Sequence, residues 1–137
     1  MKLHTYINFA GNCTEALDFY ERQLGAQILM RMTYAEGPEP EKAPEGMENA
    51  VLHARIRIGQ TVLMASDGPI DPGKPMGSAF LALSMDSTAA AERVFGVLAE
   101  GGHIYMPLTE TFFAYRFGML RDRFGVSWMI LHEREQG

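Results

Sequence analysis

The chain nearly says itself twice. A helix-to-strand passage, Phe19-Tyr20-Glu21-Arg22-Gln23-Leu24-Gly25-Ala26-Gln27-Ile28, is echoed by Phe95-Gly96-Val97-Leu98-Ala99-Glu100-Gly101-Gly102-His103-Ile104. An internal echo of this kind implies two like modules, and it restricts the folds open to the chain. With 137 residues, 47% of them hydrophobic, the chain can bury one sizeable core but is too short for two independent domains of ordinary size. The expectation is one domain over 1–137, with a first module at about 1–66, a linker over 67–77 and a second module at about 78–137.

Local patterns give each module the same order. His4–Phe9 alternates and is rich in β-formers, as a strand should be. Asn12, with Glu15 three residues on, opens a helix whose Cys13, Ala16, Leu17, Tyr20 and Leu24 fall on one apolar stripe, and Gly25 stops it. Strand signals follow at Ala26–Tyr34, Ala50–Ile58 and Thr61–Ser66, the last two joined by a tight turn at Gly59. Three prolines and three glycines between Asp67 and Gly77 mark the linker. The order then restarts with a strand at Ser78–Met85. A helix capped by Asp86 or Ser87 comes next, its inner stripe Ala91, Val94, Phe95 and Leu98 and its stop Gly101-Gly102. Three strands complete the module at His103–Leu108, Ala114–Leu120 and Val126–His132.

Composition excludes several classes of function. A net charge of −5 with scattered cations does not suit a nucleic-acid binder, which needs clustered Lys and Arg. Much of the negative charge lies at Glu36, Glu39, Glu41, Glu45 and Glu48 against the single Lys42, the pattern of a solvated loop that leaves open whether it closes over a pocket. No apolar run approaches the ~18 residues of a membrane span, and Met1-Lys2-Leu3-His4-Thr5 lacks a signal-peptide core. A soluble, cytoplasmic protein is expected. The lone Cys13 excludes an internal disulfide and any multi-cysteine metal site, and its place on the helix stripe reads as a small buried hydrophobe, not a nucleophile.

Two β-α-β-β-β modules joined by a Pro/Gly linker resemble the vicinal oxygen chelate superfamily, which includes glyoxalase I, extradiol dioxygenases and bleomycin-resistance proteins. Short matches such as Glu15-Ala16-Leu17-Asp18-Phe19-Tyr20 and Leu24-Gly25 add to the motif order. The chain is most similar to the PhnB-like branch, at Ala54–Ile58, Leu63–Asp67, Glu110–Ala114, Phe117-Gly118 and above all Asp122-Arg123-Phe124-Gly125-Val126-Ser127-Trp128-Met129-Ile130. The resemblance implies an α+β fold in which the tandem modules form a curled eight-stranded mixed sheet around a pocket. It also implies a homodimer.

Metal-using relatives take one His, Glu or Gln ligand from each of the first, fourth, fifth and eighth strands. Carried onto this chain, those positions fall near Thr5 (or His4), Leu63 or Met64, Phe80, and Met129. Thioether and phenyl groups do not replace carboxylate and imidazole around Zn, Ni, Mn or Fe(II), so neither a metal nor another cofactor is expected. Met64, Phe80, Met106, Met119 and Met129 instead suggest a cavity wall of flexible, polarizable groups, although each taken singly also reads as core. Phe112-Phe113-Ala114-Tyr115-Arg116-Phe117 places four aromatics and a guanidinium where they can clasp a flat ligand or form a dimer contact. Alternation sends about half of them to each face. Trp128, the sole tryptophan, reads as core with an indole N–H that needs a partner, and is also carried as a ligand contact. Glu110 and His53 are the candidate proton-transfer groups.

The function expected is metal-free binding or sequestration of an apolar or aromatic small molecule through Met64, Phe80, Phe112, Phe113, Tyr115, Trp128 and Met129. The alternatives are a divalent-metal-dependent lyase, isomerase or dioxygenase recruiting His4, His53 and Glu110, or metal-free acid–base catalysis by Glu110. Some PhnB-like proteins carry a methyltransferase name, but no Gly-rich loop after a strand is present to hold a nucleotide cofactor.

Overall fold

The computed structural model describes residues 1–68 and 79–135; the linker stretch 69–77 and Ser78 lie outside the described residues. Two compact units divide the chain, Met1–Lys74 and Pro75–Gly137. The first holds β1 (Tyr6–Phe9), α1 (Cys13–Leu24), β2 (Gln27–Thr33), β3 (Val51–Ile58) and β4 (Thr61–Asp67). The second holds β5 (Leu81–Ser84), α2 (Thr88–Ala99), β6 (His103–Thr109), β7 (Ala114–Arg121) and β8 (Ser127–Glu133). The eight strands form two four-stranded mixed sheets, ordered β1-β4-β3-β2 and β5-β8-β7-β6. In each, the first strand runs parallel to its neighbour and the rest pair antiparallel. The expected modules are present in tandem, with β1 starting at Tyr6 instead of His4 and β5 running only Leu81–Ser84.

Each helix covers one face of its own sheet. In α1 the buried residues are Cys13, Ala16, Leu17, Phe19 and Tyr20, and in α2 they are Ala91, Val94, Phe95 and Leu98. Gly25 ends α1 at φ 67°, a left-handed position that glycine takes without strain. Gly118 on β7 allows the second helix to sit close, because a Cβ there would lie 2.7 Å from the Phe95 ring. The acidic segment after β2 carries a short 3-10 turn at Pro40–Lys42 and is closed by Ala35 N–H donating to Glu48 O.

The helix starts differ between the units. Ser87 caps α2 as expected, its Oγ accepting from Ala90 N–H at 3.0 Å. Asn12 occupies the corresponding place before α1 but makes no side-chain cap, and its Oδ1 has no hydrogen-bond partner among the described residues. The cap comes instead from the end of β4. Asp67, 1% exposed, accepts from Gly11 N–H (2.8 Å) and Cys13 N–H (3.0 Å) through Oδ1 and from Val51 N–H (2.9 Å) through Oδ2. Its carbonyl accepts from Tyr34 OH at 2.7 Å. The buried carboxylate thus joins the α1 start to β3, the carbonyl of the same residue holds Tyr34 just after β2, and the negative charge suits the positive end of the helix.

Asp122 performs a similar task in the β7–β8 turn. Its Oδ1 accepts from Phe124 and Val126 N–H, and its Oδ2 accepts from the Trp128 indole at 2.9 Å. Trp128 is 1% exposed and shares the covered side of the sheet with Ile130 and Leu120. It is a core residue, which corrects its expected place at a ligand surface.

Two predictions follow from the buried groups of the first unit. Asp67→Ala strands three backbone donors, each costing about 1–3 kcal/mol when left unpaired; urea unfolding should therefore show a loss of about 3 kcal/mol or more, and an unchanged midpoint would remove the carboxylate from its structural role. Burial pushes the Cys13 thiol up from 9.0 to about 12, with the Asp67 charge adding to the rise and Arg31 opposing it. The folded state therefore keeps a proton that the unfolded chain releases above pH 9. Wild-type protein should lose about 1.4 kcal/mol per pH unit relative to Cys13→Ala as pH rises from 9 toward 12, and native Cys13 should resist thiol reagents until the protein unfolds.

Candidate functional site

One helix leaves the other face of each sheet open, and strand register determines what that face carries. In the second sheet Met106, Met119, Met129 and Ala82 align in one row across β6, β7, β8 and β5, with Phe117 and Leu131 in the next. A register shift between Ile104 and Met106 skips Tyr105 and so turns Met106 toward this row. The Phe80 ring meets Tyr105 edge-on at 6.0 Å. Since β5 and β6 are the two outer strands, that contact crosses one end of the open face. At the other end Phe113 packs on Phe117 at 5.1 Å, and Phe112 on Phe113 at 5.1 Å. The result is an apolar surface floored by thioethers and ended by aromatic pairs.

The first sheet uses the same scaffold with different chemistry. A register shift between Ile28 and Met30 turns Met30 toward its open face, as Met106 is turned in the second. The row across β2, β3, β4 and β1 is Met30, Arg55, Met64 and Tyr6; the next is Met32, His53, Ser66 and Asn8. Arg55 therefore stands where the second sheet has Met119, and His53 where it has Phe117. The Tyr6 hydroxyl lies 3.5 Å from His53 Nδ1, and Ser66 Oγ donates to Asn8 Oδ1 at 3.2 Å.

The register also bears on the four positions at which metal-using relatives hold an ion. Leu63 is buried under α1, so Met64 is the open-face residue of that pair. His4, Thr5 and Phe80 precede the strands, which begin at Tyr6 and Leu81. Of these side chains only the His4 imidazole is a ligand of the type that a catalytic divalent ion takes. Among the described residues no group of three or more His, Cys, Asp or Glu could hold one.

A register shift between Ala114 and Arg116 divides the aromatic run. Phe113 and Phe117 share the open side, Phe112 projects at 92% exposure, and Tyr115 packs elsewhere, against His132 (4.9 Å) and under the Arg134 guanidinium (4.8 Å). Arg116 does not clasp a ring; it reaches Glu92 of α2 at 3.4 Å. Glu110 is exposed and ion-paired with Arg134 at 2.8 Å. Arg134, which ties Glu110, the Thr111 carbonyl and Tyr115 together, carries no signal in the sequence. A separate polar cleft of about 410 Å³ lies between the Gly101-Gly102 turn, His103, Arg121 and the 122–125 turn, and none of the expected ligand residues lines it.

This arrangement has known counterparts. The family model of the Glyoxalase/Bleomycin resistance protein/Dioxygenase superfamily matches residues 2–130. The Protein YjdN of Escherichia coli K12 is 39% identical over 99% of this chain and 98% of its own length. The crystal structure of PA1353 from Pseudomonas aeruginosa is 39% identical, covers 98% of this chain and 99% of its own, and superposes with a TM-score of 0.87. The PhnB protein of Bacillus cereus is 27% identical over 96% of this chain and 99% of its own, with a TM-score of 0.82. With repeated β-α-β-β-β units on one side and near full-length matches on the other, the chain belongs to the glyoxalase/bleomycin resistance/dioxygenase superfamily, as a PhnB/YjdN-like protein.

Proposed function

We propose that the protein binds and sequesters an apolar or aromatic small molecule on the open face of its second sheet, without a metal. The observation that carries this reading is the row of Met106, Met119 and Met129 beside Phe117, ended by Phe80–Tyr105 and Phe112–Phe113. Thioether side chains are flexible and polarizable, and they adapt to flat ligands of differing shape. Edge-on aromatic pairs present both a ring face and a ring edge for stacking, an interaction worth about 0.5–1.5 kcal/mol per pair. Glu110, held in an exposed ion pair, is assigned no proton transfer here.

The neutral probe 2-naphthol tests this reading with methyl-labelled methionine. The Met106, Met119 and Met129 methyl signals should shift saturably while Met47, in the acidic loop, stays fixed. Replacing Phe112 and Phe113 together by Ala should weaken binding by about three- to tenfold, the worth of one lost stacking contact, with an unchanged circular dichroism spectrum. Methyl signals that do not respond, or an unaltered affinity, would reject the surface. Elemental analysis after incubation with Zn, Ni, Mn and Fe(II) and desalting should find only substoichiometric metal; near-stoichiometric retention would overturn the metal-free reading and favour a lyase or dioxygenase.

A further inference from the structure

We propose that the open face of the first sheet is a receptor for a compact oxyanion, a carboxylate or phosphoryl group, centred on Arg55. The two sheets share one strand order, so the contrast between equivalent positions is informative. Where the second sheet has Met119, Phe117 and Ala82, the first has Arg55, His53 and Tyr6. Arg55 and Arg57 alternate onto the same face of β3, about 7 Å apart along the strand.

The residues paired across this face are Tyr6, Asn8, Gln27, Met30, Met32, His53, Val62, Met64 and Ser66, and none is a carboxylate. That is notable in a chain with 17 acidic residues against 12 basic ones. Arg57 donates to Gln27 Oε1 at 3.1 Å. Arg55 lies between Met30 and Met64, is exposed, and among the described residues has no hydrogen-bond or ion-pair partner. By contrast Arg31, on the covered side of β2, pairs with Asp18 of α1 at 2.8 Å.

An unpaired guanidinium offers a planar fork of donors matched to two oxygens of a carboxylate or phosphate. The surrounding groups extend that recognition. With Nδ1 facing the Tyr6 hydroxyl, His53 is left with Nε2 to address a ligand. Asn8, in the adjoining row, adds its amide N–H groups, its Oδ1 being held by the Ser66 hydroxyl. Two arginines on one face repel each other when it is empty, and an anion between them relieves that repulsion. The proposal does not rest on the function proposed for the second sheet, and its readout falls on different residues.

The test is an amide NMR titration of the full chain with inorganic phosphate and, separately, with acetate, at constant ionic strength. The Tyr6, Arg55, Ile56 and Met64 amides should shift saturably with at least one of the two anions; the anion that saturates identifies the phosphoryl or the carboxylate source. Arg55→Gln should raise the dissociation constant by about tenfold or more, the loss of a charge-assisted pair, while leaving the circular dichroism and the 2-naphthol response of the Met119 methyl unchanged. Shifts that stay linear in both anions, that persist in Arg55→Gln, or that gather at His103, Arg121 and Arg123 would overturn the proposal.

Discussion

A single amphipathic helix can cover only one face of a four-stranded sheet, and the arrangement of this protein follows from that limit. In each unit the covered face collects the core, Ile7, Phe9, Leu17, Tyr20, Ile56 and Leu63 in the first, Val94, Leu98, Leu120, Trp128 and Ile130 in the second. The strict side-to-side alternation of a strand then assigns every remaining residue to the uncovered face. The skipped residues Leu29 and Tyr105 matter because each reverses the alternation on an edge strand and so brings Met30 and Met106 into the open row. The open faces are thus by-products of core packing, and their chemistry is decided by what their residues are.

Buried charged groups among the described residues are few. Asp67 and Asp122 are the two buried carboxylates, and each satisfies three hydrogen-bond donors. Asp67 reaches the α1 start from 54 residues away, which explains why Asn12 contributes no cap although it stands at the N-cap position. The second unit has a local cap at Ser87, and His132, the counterpart of Asp67 at the end of β8, meets the first residue of its helix through Thr88 Oγ1 at 3.1 Å. The same connection between the last strand and the helix start is made in both units by different side chains.

The candidate site was only partly legible in the chain. The family resemblance singled out Leu63 or Met64 on the fourth strand and Met129 on the eighth, and register puts Met64 and Met129 on the open faces. Tyr115, Trp128 and Glu110 were harder to assign. A register shift between Ala114 and Arg116 breaks the alternation on which the reading of the aromatic run depended. Trp128 is drawn inward by a carboxylate six residues earlier, and Glu110 is claimed by Arg134. Arg55 did not stand out as a lone basic residue in an alternating strand; the absence of an acid beside it is a property of three neighbouring strands.

By itself the sequence determined the order of elements, the helix stripes and the twofold repetition, because helix and strand periodicities are local and survive without knowledge of the partner strand. Tertiary structure alone decided which carboxylate caps the first helix, which aromatics share a surface, and that one sheet presents thioethers where the other presents a guanidinium and an imidazole. These depend on cross-strand register and on edge irregularities, which join residues distant in the chain and leave no local periodicity to read.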